Sequence, residues 1–502
     1  MKIVVIGSGF GGLSAAIRLQ SQGHNVTLLE KRDKPGGRAY VYEQDGFTFD
    51  GGPTIITAPW LIHDLFTLCG KKTADYVRLV PINPFYNIRF EDGSIFHYSG
   101  DQDHILSEIR KFNPDDVDGY LRFAQVAEKI YQKGFELIDQ PFTRFSDMVK
   151  IVPDLIRLQS QKSVAAFVNQ YIKDERLRQV FSFHPLLIGG NPFQCTSIYA
   201  LIHTLERKFG VWYAQGGTGA LVRALAQLFQ DIGGTLLLNN EVSTIEIDTQ
   251  TGNATGVHVR NGTFFPADAV VSNADVAFTY LNMIPACFRR KNTDHRIKSM
   301  QYAMSLFVIY FGTDRKYKDI AHHEILMGPR YRGLLDDIFK RKRLADDFSL
   351  YLHRPTATDS SLAPAGCDSW YVLSPVPHLG ADTDWTTMAK PYRNKIMQYL
   401  EQRYLPDLSK HIVTEHSINP LHFRATLNSY LGSAFSVEPV LTQSAWFRPH
   451  NQSEDIPNLY FTGAGTHPGA GLPGVISSGK IVADMIGYAH IARMETRTTV
   501  TK

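Results

Sequence analysis

The run Ile3–Ile6 is apolar at every position and stops at Gly7, the pattern of a short strand covered on both faces. Behind it Leu13, Ala16 and Ile17 recur at helical spacing, Gly23 closes the helix, and Val26–Leu29 is a second apolar run ending at Glu30. This order predicts a βαβ unit in a parallel sheet. Much later, Gly234–Asn240, Glu241–Asp248, Ala254–Arg260 and Phe264–Ser272 alternate apolar and polar positions between Gly and Asn turns. They predict a small antiparallel group of strands, with Ala220–Ile232 a helix before them. From about Pro114 to Lys208 the apolar period changes to that of helices, which predicts an inserted helical lobe. Between Met300 and Val440, aromatic and β-branched runs such as Ser305–Phe311, Ser349–His353 and Trp370–Ser374 predict a second sheet, suited to floor a substrate cavity.

Composition adds limits. At 502 residues, with 43% apolar and 20% charged, the chain has ordinary globular composition. It exceeds the size at which one core keeps growing, so lobes of ~100–200 residues are expected. A net charge of +3 is too small to point to nucleic acid. Cys69, Cys195, Cys287 and Cys367 lie far apart with no C-x-x-C pair, which predicts neither a disulfide framework nor a zinc site, and no metal is expected. Met1-Lys2 leads directly into the first strand without a leader pattern. No stretch reaches the ~18 uninterrupted apolar residues of a membrane span. The expectation is a cytoplasmic protein that meets a membrane, if at all, from one side.

The candidate chemistry lies in glycine turns. Gly7-Ser8-Gly9-x-x-Gly12 sits between the first strand and helix, with Glu30 ending the next strand. Such a turn lets a backbone approach a pyrophosphate at a helix N-terminus, and the acid can bind a ribose hydroxyl. A second turn, Gly36-Gly37-Arg38, lets the chain pass close to an extended cofactor while the guanidinium pairs with phosphate or lies over a ring system. The alternating run Phe47–Asp50 breaks at Gly51-Gly52-Pro53-Thr54, where contact with a flavin ring or ribityl chain is possible. Near the other end, Asn458-Leu-Tyr-Phe-Thr-Gly463-Ala464-Gly-Thr-His467-Pro-Gly-Ala-Gly-Leu-Pro-Gly474-Val475 answers the first turn. Both ends are expected to fold onto one cofactor, a flavin.

These motifs, with Phe181-Ser-Phe-His-Pro-Leu-Leu-Ile-Gly-Gly-Asn-Pro192, Gly216-Gly-Thr-Gly-Ala-Leu221 and Gly432-Ser-Ala-Phe-Ser-Val-Glu-Pro-Val-Leu-Thr-Gln443, resemble the bacterial-type phytoene desaturases over nearly the whole chain. These form a carotenoid-making branch of the flavin amine oxidase superfamily. The resemblance implies an α/β flavoprotein: a Rossmann-like FAD-binding domain, a mixed-sheet substrate domain and a helical membrane-facing lobe. The corresponding segments are 1–75, 212–295 and 455–495 for FAD, 76–113 and 296–454 for substrate, and 114–211 for the lobe.

It implies noncovalent FAD, with Gly7, Ser8, Gly9 and Gly12 at the pyrophosphate, Glu30 on the adenosine ribose, and Gly37 and Arg38 near the phosphates. Gly52, Pro53 and Thr54 would meet the flavin end, and Val242 would offer its backbone to adenine. Gly463 and Ala464 would close over the ribityl-phosphate, while the helix opening near Gly474 and Val475 would aim its dipole at the pyrimidine edge. No cysteine lies in the C-terminal motif, so a covalent flavin thioether there is excluded.

The implied reaction desaturates phytoene in successive rounds, typically to lycopene, with oxygen or a quinone as terminal electron acceptor. Phytoene and the desaturated carotenes would be drawn from lipid. Asp147, between Arg144 and Lys150, and His467 in the C-terminal motif are candidates to handle the proton. Residues 144–178 interleave basic and apolar positions, as a peripheral membrane segment would. Other readings are a desaturase of another polyene, a flavin amine or protoporphyrinogen oxidase, and a flavin-free Rab escort or GDP-dissociation-inhibitor type of binding protein.

Overall fold

The computed structural model describes residues 1–499, with side chains through residue 487. Its first layer is a five-stranded parallel sheet in the order Leu459–Phe461, Ala269–Ser272, Lys2–Ile6, Asn25–Leu29, Thr235–Leu237. Val4, Val5, Leu28, Val270 and Val271 are buried within it, because both faces are covered: helices pack on the Val5, Leu28 and Val271 face, and a small antiparallel sheet, Val242–Ile247 with Ala254–Val259, packs on the Val4 and Val270 face. The helix Phe10–Ser21 follows the first strand and is buried from Phe10 to Leu19. It can lie this close only because position 12 lacks a side chain: a Cβ on Gly12 would stand 2.0 Å from the carbonyl oxygen of Gly7. The final helix, Leu472–Thr499, packs against Phe10–Ser21. At that seam Ser14 Oγ donates to the Ile476 carbonyl at 2.8 Å, and a Cβ on Gly479 would meet Ala15 N at 2.7 Å.

The expected antiparallel group divides. Val242–Ile247, Ala254–Val259 and Phe264–Pro266 form a three-stranded antiparallel sheet. Thr235–Leu237 and Ala269–Ser272, expected in the same group, instead pair parallel with Asn25–Leu29 and Lys2–Ile6. Ala269–Ser272 is buried at all four positions, the mark of an inner parallel strand rather than of an alternating one. The break at Pro266-Ala-Asp268 lets the chain change sheets, and Asp268 N donates to the Lys2 carbonyl as it crosses.

A seven-stranded mixed sheet forms the second layer, ordered Ile412–Ile418, Ser305–Thr313, Asp368–Val376, Leu350–His353, His323–Leu326, Tyr86–Arg89, Ile95–Tyr98. All its pairings are antiparallel except that of His323–Leu326 with Tyr86–Arg89. The helices Val117–Leu137, Phe145–Arg157, Val164–Val168, Glu175–Ser182 and Leu201–Phe209 follow, and Val117–Leu137, Val164–Val168 and Glu175–Ser182 share an apolar core with the strands Tyr86–Arg89 and Ile95–Tyr98. The strand Val211–Ala214 then pairs with Leu79–Ile82, so an expected lobe boundary at 211/212 falls inside a strand.

One carboxylate in this frame is held at a disadvantage. Asp50, buried at the end of Phe47–Asp50, accepts from Gly219 N at 3.3 Å, and burial pushes its pKa up to about 6. A carboxyl whose folded pKa lies above its unfolded one weakens the fold at high pH. Here the penalty is absent below about pH 4, grows to about 3 kcal/mol near pH 6 and stays constant above it. Asp50→Asn is therefore expected to raise Tm at pH 7 and to leave it unchanged near pH 4, as thermal denaturation at both values would show.

Candidate functional site

Both glycine turns converge on a cavity of about 580 Å³ between the two sheet layers. Its polar end is built from the first turn. Gly7 and Gly9 lie on the wall, and the N-cap of the helix, Gly9, carries no side-chain cap, which leaves the first amides of Phe10–Ser21 free to face an anion. Ser8 is buried behind the wall and fixes the acid: its N–H and hydroxyl donate to Glu30 Oε2 at 2.9 and 2.6 Å, while Arg32 N donates to Oε1 at 3.0 Å. Gly12 stays off the cavity and serves the strand–helix contact. Val242 opens its strand on the same wall, beside Asn240 and Glu241.

Gly37 and Arg38 form the next part of the wall, held by Gly36 N donating to the Ser8 carbonyl at 3.1 Å. Arg38 donates through Nη2 to Ser429 Oγ at 3.0 Å, but its buried Nε has no acceptor. Burial lowers its pKa, and Asp275 offsets only part of that. A half-buried guanidinium without a carboxylate partner, set beside an uncapped helix start, fits the pyrophosphate of a dinucleotide. Gly52 is required by close approach, since a Cβ there would stand 1.9 Å from the Arg38 carbonyl oxygen. Pro53 accepts from the Thr218 hydroxyl at 3.0 Å, and Thr54 Oγ1 bonds Tyr371 OH at 2.7 Å and Tyr351 OH at 3.1 Å.

The C-terminal motif closes the far side. Gly463 N donates to Ser478 Oγ at 2.8 Å, Ala464 accepts from Arg448 Nη2 at 2.7 Å, and Gly474 and Val475 open the final helix on the cavity wall. The residues present therefore fit FAD, held without a covalent bond.

Two residues here carried no sequence signal strong enough to single them out. Asn273, just after the strand Ala269–Ser272, donates to the Gly7 carbonyl at 3.3 Å and accepts from Thr462 Oγ1 at 3.3 Å, joining the two motifs. Arg448 is buried and spends its guanidinium on the carbonyls of Thr466, Gln443, Val437 and Ala464.

Beyond the flavin end the lining turns apolar, with Met304, Leu306, Met327, Leu334, Leu373 and Phe435 among its residues. His467 lies on this wall with its ring edge on Phe142, and burial beside Arg448 pushes its pKa down to about 3, so it is uncharged at neutral pH. The structure does not bring Asp147 to the cavity. Its carboxylate accepts from Arg144 N at 3.1 Å as the cap of helix Phe145–Arg157 and pairs with Lys150 at 3.5 Å on the outer surface. The charged positions that suggested a base there are satisfied by helix capping.

This fold and this cradle define a FAD-dependent oxidoreductase of two-layer type. The profile of the family described as "Flavin containing amine oxidoreductase" matches residues 10–487, and the chain belongs to that family. Among curated relatives, the "Phytoene desaturase (lycopene-forming)" of Pantoea ananas is 53% identical across 96% of this chain and 98% of its own length. The "Phytoene desaturase (lycopene-forming)" of a Paracoccus species is 49% identical across 96% of each. Among solved structures, an oxidoreductase from Methanosarcina mazei superposes with a TM-score of 0.66 at 18% identity, over 96% of this chain and 100% of that one.

Arg38→Met removes the half-buried cation without leaving a hole. Its loss is expected to weaken FAD binding by about 10- to 100-fold, the worth of one charge-assisted contact. The Tm of the FAD-free protein should not fall, because the removed charge has no ion-pair partner there. Flavin titration and thermal denaturation of the stripped protein would check both.

Proposed function

We infer that this chain is a FAD-dependent phytoene desaturase that forms lycopene. The observation that carries the reading is one continuous cavity, polar where the glycine turns meet and apolar beyond, in a chain about half identical to lycopene-forming relatives over at least 96% of their length. A hydrocarbon cannot be fixed by hydrogen bonds, so its site must be apolar and selective by shape. Bound FAD supplies a two-electron oxidant. This chain's residues hold it through Gly7, Gly9, Glu30, Arg38, Gly463 and the opening of the final helix, and shield the reacting carbons from water. The five-stranded half is the cofactor domain, the seven-stranded sheet the floor for the substrate, and the helical lobe its entrance.

Entry from lipid is supported by helix Phe145–Arg157, which has two apolar faces. Met148, Ile151 and Leu155 line the cavity, whereas Phe145, Val149, Val152 and Ile156 face outward, Ile156 being 64% exposed. Arg144, Lys150 and Arg157 flank this outer stripe, as suits the headgroup region of an anionic leaflet. The surface is narrower than the expected 144–178. Phe167 and Val168 are fully buried, and Arg176 and Arg178 pair with Asp92, Asp174 and Glu175. Among the described residues no helix is long and apolar enough to cross a membrane. Reduced flavin would return its electrons to oxygen or a quinone.

Purified protein loaded with FAD and incubated with phytoene-bearing liposomes should yield the red-shifted polyene bands of lycopene in the lipid extract. Unchanged phytoene with FAD bound would overturn the reading. Val149→Glu with Ile156→Glu should abolish flotation with anionic liposomes and sharply reduce turnover of liposomal phytoene, while leaving Tm and the flavin spectrum unchanged, since both side chains lie outside the core.

A further inference from the structure

Behind the wall at Thr54 lies a group of imidazoles in the seven-stranded sheet. His323 and His353 are cross-strand partners, both fully buried, and His322 is 4% exposed. Their rings lie 4.4 to 5.2 Å apart, and a ring nitrogen from each lies within 4.8 Å of the others. Each has a buried Nε2 with no partner, so the group is poorly satisfied as a purely structural core. Its link to the cavity is Tyr351. This side chain is half-buried on the cavity wall, and its hydroxyl lies 2.6 Å from His323 Nδ1 and 3.1 Å from Thr54 Oγ1. His323 Nδ1 in turn lies 3.3 Å from His353 Nδ1. Tyr86 packs on His323 and Tyr371 on His353, while Arg354 and Asp359 act on His322 from the loop beyond.

We propose that Tyr351 receives the proton lost by the substrate and passes its own hydroxyl proton to His323, with His353 sharing the charge. The proposal rests on the desaturase reading above. In each round one C–H bond breaks and its electron pair leaves as hydride to the flavin, which is reduced. The neighbouring C–H bond breaks, its electron pair becomes the π bond of the new C=C, and its proton goes to the Tyr351 oxygen as the Tyr351 O–H proton moves to His323 Nδ1. Tyrosine ends neutral, and the imidazole pair carries one positive charge. Burial, with repulsion from the neighbouring imidazoles, holds both well below their usual pKa, so each starts uncharged with one unprotonated ring nitrogen. A weak base suffices, because a C–H bond beside a carbon losing hydride is strongly acidified. Two Nδ1 atoms at 3.3 Å are also better satisfied with one proton between them than with none.

The test follows flavin bleaching by liposomal phytoene in a single anaerobic turnover, in H2O and D2O, for the wild-type holoenzyme, Tyr351→Phe and His323→Gln, with metal analysis of each protein. The proposal expects slower bleaching of the wild type in D2O. It expects a loss of about 100-fold or more in rate for Tyr351→Phe, with KM and bound FAD unchanged, the isotope effect gone and no stoichiometric metal. Wild-type rates in Tyr351→Phe would overturn it. So would a stoichiometric metal lost in His323→Gln, because a metal would occupy the lone pairs the relay needs. If a variant fails to hold FAD, the wild-type isotope effect decides, and its absence overturns the relay. Bleaching by another polyene but not by phytoene would sink the substrate assignment instead, and the same comparison would then be made with that polyene.

Discussion

Everything in this molecule depends on the backbone of the first helix lying against the backbone of the last turn without side chains between them. A Cβ on Gly11 would stand 2.9 Å from Gly463 N, and Asn273 spans the gap by bonding the Gly7 carbonyl and the Thr462 hydroxyl. Two glycine turns more than 400 residues apart in sequence thereby meet on one wall, where the uncapped first amides of Phe10–Ser21 face the cavity. A methyl group on Gly11 would push the seam apart, and with it the final helix, whose N-terminus forms part of the same wall. The long excursion of the chain through the second sheet and the helical lobe is anchored at both ends by this contact.

From that seam the cavity inherits its polarity gradient. The cofactor end is crowded with amides and carries the Arg38 guanidinium, which has no carboxylate partner and no acceptor for its Nε, a deficit that binding of an anion would satisfy. The substrate end is walled by strands and helices whose inward positions are apolar, so an oily chain gains affinity by leaving water but no orientation from hydrogen bonds. Position along the tunnel must then come from its shape. This gives one physical account of how a single site can act on a polyene in successive rounds: the molecule can slide between rounds without breaking directional contacts.

The sequence made legible those features whose requirement is local. A glycine turn between an apolar strand and a helix has one common use, and Glu30 at the end of the next strand narrows it further. The second sheet showed through its aromatic and β-branched runs. Ala269–Ser272 did not, because a four-residue apolar strand reads alike in either kind of sheet until its neighbours are known. Asn273, Arg448 and the Tyr351–His323–His353 group were invisible for a related reason, since each acts through partners brought together only by the fold. Asp147 shows the converse hazard: a carboxylate flanked by cations looked chemical, yet the start of a helix demands that same acid three residues in.

Helix Phe145–Arg157 couples the tunnel to its surroundings. A surface helix ordinarily hides one apolar stripe and shows water a polar one. This one uses its inner stripe as tunnel wall and leaves Phe145, Val149, Val152 and Ile156 outside, with Phe145 edge-on to Trp446. Such an arrangement is costly in water and neutral in lipid, which is the physical support for the proposal that this face docks on a bilayer. On that proposal, a carotene passing from lipid to the cavity beside this helix would not have to cross water. The step that would otherwise dominate the energetics, extracting a hydrocarbon into water, would then be avoided by where the helix lies rather than by any group that binds.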